Sequence, residues 1–339
     1  MHTNTSIVLT GVLAGALAGL TVAGTAAADE IRIATLAPEG SSWMKILSKG
    51  AEEVKTKTDG RVVLKYYAGG VQGDERDAVR KMNLGQLDGV AVTAVGLSMI
   101  DESIRILELP RMFASVEELD YVADKMWPYF QKKFDAKGVK LQDRGDVGWV
   151  YFLSKKEIKS VSDLKSAKVW MWGDDTIVRA TFKRLGVPGV PLGVPEVEPA
   201  LTTGRIDACY GSPLAAMALQ WNTKVKFITS ASMNYGIAAT VIKNDAYKKL
   251  GTDEPLFAKI TRGMQKALRK QIRKDNDSAK RTMLRKGVKE TSASDALNAE
   301  LDKAAATVWK DLTGKMFTQA ELDMVLKYRD EFRAKAAAP

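Results

Sequence analysis

Apolar positions recur along this chain in two rhythms, and they alternate. Ile31 and Ile33 flank Arg32, so Ile31 to Thr35 reads as a strand with one buried face. Ser41 or Ser42 can cap a helix from Trp43 to Thr58, where Met44, Leu47, Ala51 and Val54 fall three or four apart. Asp59-Gly60 ends that helix, and Arg61 to Tyr67 is a second strand, so a right-handed parallel crossover is expected. A helix from Asp74 to Leu84 and a strand from Val90 to Ala94 follow. Val116 to Phe134 has helical spacing, and Gly148 to Leu153 is an aromatic strand.

The stretch from Glu157 to Pro213 repeats the design in miniature. Ser162 can cap a single turn, and Lys168 to Trp172 is a short aromatic strand. Thr176 to Gly186 reads as a helix, Pro195 to Thr203 as a second one ended by Gly204, and Ile206 to Tyr210 as another strand. Gly-x-x-Asp precedes a strand at Gly85 and again at Gly204, as two similar halves would have it. Two apolar runs between Val225 and Val241 read as separate segments, the second returning the chain to the first domain. Asp253 to Lys289 carries one helical stripe: Leu256, Ile260, Met264, Leu268 and Ile272. Asp295 to Ala336 is helical.

Strand–helix alternation implies parallel pairing, with a crevice at the carboxyl ends of the strands. Trp170 and Trp172 lie at one such end and Tyr210 to Pro213 at another, so a ligand is expected there. Strand alternation puts Trp170 and Trp172 on one face and Val169 and Met171 on the other. The loop Gly69-Gly70-Val71-Gln72-Gly73 has neither the spacing nor the Lys-Ser/Thr of a phosphate loop.

Composition narrows the chemistry. The 339 residues suffice for two ordinary domains. Ile7 to Ala28 is apolar, uncharged and rich in small residues, and Ala26-Ala27-Ala28 resembles a cleavage site. A signal peptide over residues 1–28, cleaved after Ala28, is expected, and with it a periplasmic location. The other reading is an uncleaved anchor. Cys209 is the single cysteine and His2 the single histidine, so a chain cleaved there has no histidine. Ser-His-Asp and Cys-His catalysis and His-ligated metals are thereby excluded, and neither catalytic residues, metal nor cofactor is expected. The net charge of +10 is concentrated: Thr240 to Glu290 carries 15 Lys and Arg against 6 Asp and Glu. Export argues against nucleic acid as its partner. An anionic membrane surface, an acidic partner or a solvated helix face is left.

Two motifs carry a resemblance. "IKSVSDLKSAKV" from Ile158 and "EVEPALTTGRID" from Glu196, followed by Ser212-Pro213-Leu214-Ala215-Ala216, are similar to segments of the solute-binding proteins of tripartite ATP-independent periplasmic (TRAP) transporters, dicarboxylate type. The loop Gly70 to Glu75 and "LELPRMF" from Leu107 fit as well, and the likeness covers about Asp29 to Phe332. It implies a two-lobed α/β periplasmic binding protein fold with a hinge and a long helix spanning both domains. Domain I would take 29–147 and about 237–276; domain II, 148–236 and about 277–336. The implied function is capture of a small organic ligand for membrane subunits driven by an ion gradient, by a monomer that is not an enzyme.

The chain departs from the family where the ligand sits. The family's clamp arginine, which holds the substrate carboxylate, falls at Trp170, and a second common arginine at Val150. The family's Asn falls at Ser212, its polar positions at Leu36 and Thr93, and its Phe or Trp at Val194. With Trp43, Trp149, Tyr151, Trp172 and Tyr210, these are the candidate ligand-binding residues. A buried carboxylate without an opposite charge costs several kcal/mol, so a neutral, apolar or aromatic ligand is expected. The alternative is an organic acid held by another cation, such as Arg111 or Arg144. An exported hydrolase or lyase using Glu196 and Glu198 fits poorly, because residues two apart on a helix do not share a face. A structural protein with a vestigial pocket is the remaining reading.

Overall fold

The computed structural model describes residues 29–337 except Asp174. The expected signal peptide and its cleavage site lie outside the described residues.

One mixed sheet runs through the molecule. Its strands in chain order are β1 (Asp29–Thr35), β2 (Val62–Tyr67), β3 (Gly89–Thr93), β4 (Val139–Ser154), β5 (Val169–Trp172), β6 (Gly189–Leu192), β7 (Ala208–Gly211), β8 (Phe227–Lys243) and β9 (Lys289–Thr291). The spatial order is β2-β1-β3-β8-β4-β7-β5-β6, with β9 pairing alongside β8. β2, β1 and β3 run parallel and form the first lobe's half; β5 runs parallel to both β6 and β7 in the second. The antiparallel pair β4 and β8, 16 and 17 residues long, belongs to both halves. The two apolar runs expected between Val225 and Val241 are thus parts of one strand.

Helices cover both faces. The helix Ser42–Lys57 starts where Ser41 accepts from the Met44 N–H, and its buried residues Met44, Leu47 and Val54 follow the expected spacing. The short helix Val161–Ser166 is capped by Ser160, not Ser162: Ser160 and Asp163 form a reciprocal capping box. The helix Glu254–Arg285 has 32 residues and so spans about 48 Å. Its Phe257 and Ile260 pack under the first lobe's strands, Met264, Leu268 and Ile272 against the helix Ser42–Lys57, and Met283 in the second lobe's core. A single amphipathic stripe therefore ties the two lobes together. At the hinge the same helix presses on β4. Gly148 has φ +116°, and a Cβ there would lie 2.5 Å from Asn276 Nδ2.

Beyond Arg285 the chain contributes to both lobes. The helix Asp295–Leu312 begins in the second lobe's core with Leu297 and Leu301, but Val308 and Leu312 join the first lobe's cluster. The helix Gln319–Ala337 then packs on the helix Val116–Ala136, where Lys133 and Tyr129 both reach Glu321. Residues 277–336 are therefore shared between lobes, because the last apolar stripe matches the face left open by the helix Val116–Ala136.

The long helix carries a basic cluster, Lys266, Arg269, Lys270, Arg273 and Lys274. Lys266, Lys270 and Lys274 are exposed. Arg269 donates to the Arg144 carbonyl, and Arg273 binds Asp120 and the fully buried Asp146, with Nε 2.6 Å from Asp146 Oδ2. Arg273 is thus a hinge ion pair. Arg273→Met is expected to destabilise the fold by about 1.5–3 kcal/mol, measured by urea unfolding, since it removes charge-assisted hydrogen bonds from Asp146 and Asp120 while Arg144 still faces both. A loss under about 1 kcal/mol would assign Arg273 to the solvated face after all.

Candidate functional site

A cavity of about 210 Å³ lies between the lobes, at the carboxyl ends of β1, β3, β5 and β7 and along the two long strands. Of the candidate residues, Leu36 and Trp43 enter from the first lobe, Thr93 from the end of β3 and Val150 from β4; Trp170, Trp172, Val194, Tyr210 and Ser212 enter from the second lobe. Trp149 and Tyr151 do not line it. A register shift between Asp146 and Gly148 reverses which side of β4 meets the cleft, so Val147 and Val150 face it. Trp149 instead packs edge-on against Tyr235, centroids 5.1 Å apart, and Tyr151 lies beneath the Lys280 ammonium.

The aromatic wall is also core. Trp170 is 2% exposed; it stacks on Tyr210 at 4.6 Å, touches Trp172 and Trp221, and donates its indole N–H to the Leu192 carbonyl. Trp172 donates its indole N–H to Asp74 of the first lobe at 2.8 Å, and its backbone N–H to the Tyr210 hydroxyl. Trp43 donates to the Asp146 carbonyl. Ser212 caps the helix Pro213–Ala218. The polar atoms that the sequence suggested for ligand contact are largely engaged within the protein.

The charges are distributed unexpectedly. No Lys or Arg is among the described residues lining the cavity, but Glu75, Glu108 and Asp175 are. Glu75 accepts from the Thr93 N–H and hydroxyl and from the Gly96 N–H. Burial pushes its carboxyl up to about 8 against the pull of those donors. Glu108 accepts from the Ile237 N–H, and burial lifts it to about 7 although Arg105 opposes the shift. Arg105, 1% exposed, stands behind this wall with Nε 3.0 Å from Glu108 and Nη2 2.9 Å from Asp175. Neither Arg111 nor Arg144 lines the cavity: Arg111 pairs with Asp302 at the surface, and Arg144 with Asp120 and Asp146 in the hinge.

Sequence reasoning missed Glu75, Glu108, Asp175, Thr240 and Gln265. Gln265 could have been found, since it lies three residues before Leu268 and shares its helix face. Arg105 and Glu108 carry no local signal, because their burial is produced entirely by the tertiary fold.

The raised carboxyls make stability depend on pH. The folded protein holds these protons more tightly than the unfolded chain does. Their stabilising contribution is complete below the ordinary carboxylate pKa and is lost as pH rises through about 7 and about 8. The unfolding midpoint is therefore expected to fall from about pH 5 to above about pH 8. A midpoint that rises through that window contradicts the assignment.

Comparison with known proteins agrees with this architecture. The family described as bacterial extracellular solute-binding protein, family 7 (DctP), matches residues 33–316. A solute-binding protein of Chromohalobacter salexigens is 27% identical over 204 residues, 60% of this chain and 60% of its own. The chain spans 55% and 60% of the length of two of the curated relatives it matches. Among solved structures, a sugar acid binding protein of Advenella mimigardefordensis in complex with galactonate superposes with TM-score 0.83 at 18% identity, covering 89% of this chain and 98% of that one. A TRAP periplasmic solute binding protein of Citrobacter koseri with bound D-glucuronate gives 0.79 at 24% identity, covering 88% and 98%. Both bound ligands are acids, unlike the neutral or apolar ligand expected from the sequence, and at these identities the likeness concerns the fold. No helix among the described residues is long and apolar enough to cross a membrane. A two-lobed fold, an interlobe cavity and a profile spanning most of the chain converge: this protein belongs to the bacterial extracellular solute-binding proteins of family 7.

Proposed function

We propose that the protein is the periplasmic ligand-capturing subunit of an ion-gradient-driven TRAP transporter, and that its ligand carries no buried negative charge. The observation that carries this reading is the lining of the cavity: three carboxylates, no lysine or arginine, and a wall of Trp43, Trp170, Trp172 and Trp221. An ionised carboxylate there would lose its hydration without a facing cation. The aromatic side chains offer about 150–250 Å² each to an apolar body. Membership of a solute-binding family supports a receptor in place of an enzyme.

A second reading rests on Arg105. Its Nη1 has no hydrogen-bond partner, and it lies directly behind two lining carboxylates. An organic acid could draw it forward, as the acids bound by the structural neighbours suggest. Mass spectrometry of protein purified without denaturation, followed by calorimetry with C4–C6 carboxylates, separates the two. The expected result is a co-purified uncharged molecule and no binding of the carboxylates at micromolar concentration. Micromolar carboxylate binding by the native protein overturns the uncharged-ligand reading in favour of the second.

A further inference from the structure

Two polar side chains in the cavity have nothing to bind. Gln265 is 3% exposed and Thr240 is 4% exposed; both line the cavity. Neither side chain has a hydrogen-bond partner among the described residues, although Thr261, one turn earlier on the same helix, has three. Around them the wall is cut back to small residues: Ala91, Ala238 and Gly145 on the strands. A Cβ on Gly145 would sit 3.4 Å from Gln265 Oε1. Their polar atoms are not sealed among core atoms but open onto the cavity, where a bound molecule can reach them.

We propose that Gln265 and Thr240 form the head-group subsite of the ligand cavity, and that it takes a neutral group which both donates and accepts hydrogen bonds, a carboxamide or lactam. This rests on the uncharged-ligand reading above. A glutamine amide offers two donors and one acceptor oxygen, and a threonine hydroxyl offers one donor and an acceptor. An amide satisfies both senses at once. A ketone leaves the Gln265 oxygen unmatched, and a carboxylate does so too while adding an uncompensated charge to a cavity lined by Glu75 and Glu108. The indole walls then receive the apolar remainder.

The test uses three molecules of one shape, benzamide, acetophenone and benzoate, titrated calorimetrically into the whole protein, Gln265→Met and Thr240→Val. Benzamide is expected to bind about tenfold tighter than acetophenone and to bind more tightly than benzoate. In either variant the benzamide advantage over acetophenone should shrink to about twofold or less. Because neither side-chain polar group bonds within the protein, each variant's ligand-free unfolding midpoint should not fall below that of the native protein. Equal binding of benzamide and acetophenone, both tighter than benzoate, overturns the subsite and leaves the uncharged-ligand reading standing. Preference for benzoate overturns both. Binding of none at millimolar concentration overturns the subsite alone, as does a variant with a clearly lowered ligand-free midpoint, which would make the pair structural.

Discussion

Trp170→Arg, which places here the arginine that the family resemblance implies, is expected to damage the second lobe and to leave carboxylate binding absent. The substitution tests the core as well as the ligand's charge. Trp170 stacks on Tyr210 and contacts Trp172 and Trp221, and its indole N–H satisfies the Leu192 carbonyl. Arginine forfeits the stacking and brings a cation into a cavity where two of the lining carboxylates, Glu108 and Asp175, already share Arg105. Loss of a buried aromatic alone costs about 3–5 kcal/mol, and an unpaired cation adds to it. Urea unfolding should show at least that loss, with Trp170→Phe much milder because the ring stacking survives. Trp170→Arg of near-native stability that binds C4–C6 carboxylates at micromolar concentration would contradict this expectation.

Much of the scaffold could be read from periodicity, for definite reasons. The stripe Leu256 to Ile272 was visible because a helix buried along one side must repeat every three or four residues. The strand Val169–Trp172 was visible because it is aromatic and bounded by turns. β6 was not: Gly189-Val190-Pro191-Leu192 has no strand propensity, and Pro191 is tolerated only because β6 is the sheet's edge. The continuity of β8 was hidden by Thr229 to Asn234, a polar run that reads as a loop but crosses the hinge as strand. The ligand site divided in the same way. Motif positions fixed which strand ends meet the cleft, while the bulge that turns Trp149 away and the burial of Arg105 arise from packing that no local pattern encodes.

The second large effect concerns closure. Two residues of the first lobe, Asp74 and Arg105, make polar contacts across to the second. Asp74, which caps the helix Glu75–Asn83, also accepts from the Trp172 indole at 2.8 Å and from the Val194 N–H at 3.3 Å. Arg105, anchored among Ile104, Ile106 and Leu107 of the first lobe's core, binds Asp175, which caps the helix Thr176–Leu185 of the second. These contacts exist only with the lobes together. Arg105→Met would leave Glu108 and Asp175 buried with no cation, at a cost of about 3–5 kcal/mol. Opening the cleft relieves that cost by returning both carboxylates to water. The variant is therefore expected to open, with a larger radius of gyration by small-angle scattering than the native protein. Its ligand affinity should fall by about 100-fold, because the binding-competent closed form becomes a minor state. Saturating ligand should contract the native protein if it opens when empty, and should contract the variant only at far higher concentration. Asp74→Ala should act in the same direction but more weakly, since it removes neutral-donor hydrogen bonds and a helix cap worth about 1 kcal/mol. Native-like scattering and affinity in Arg105→Met would mean that these contacts accompany closure without holding it.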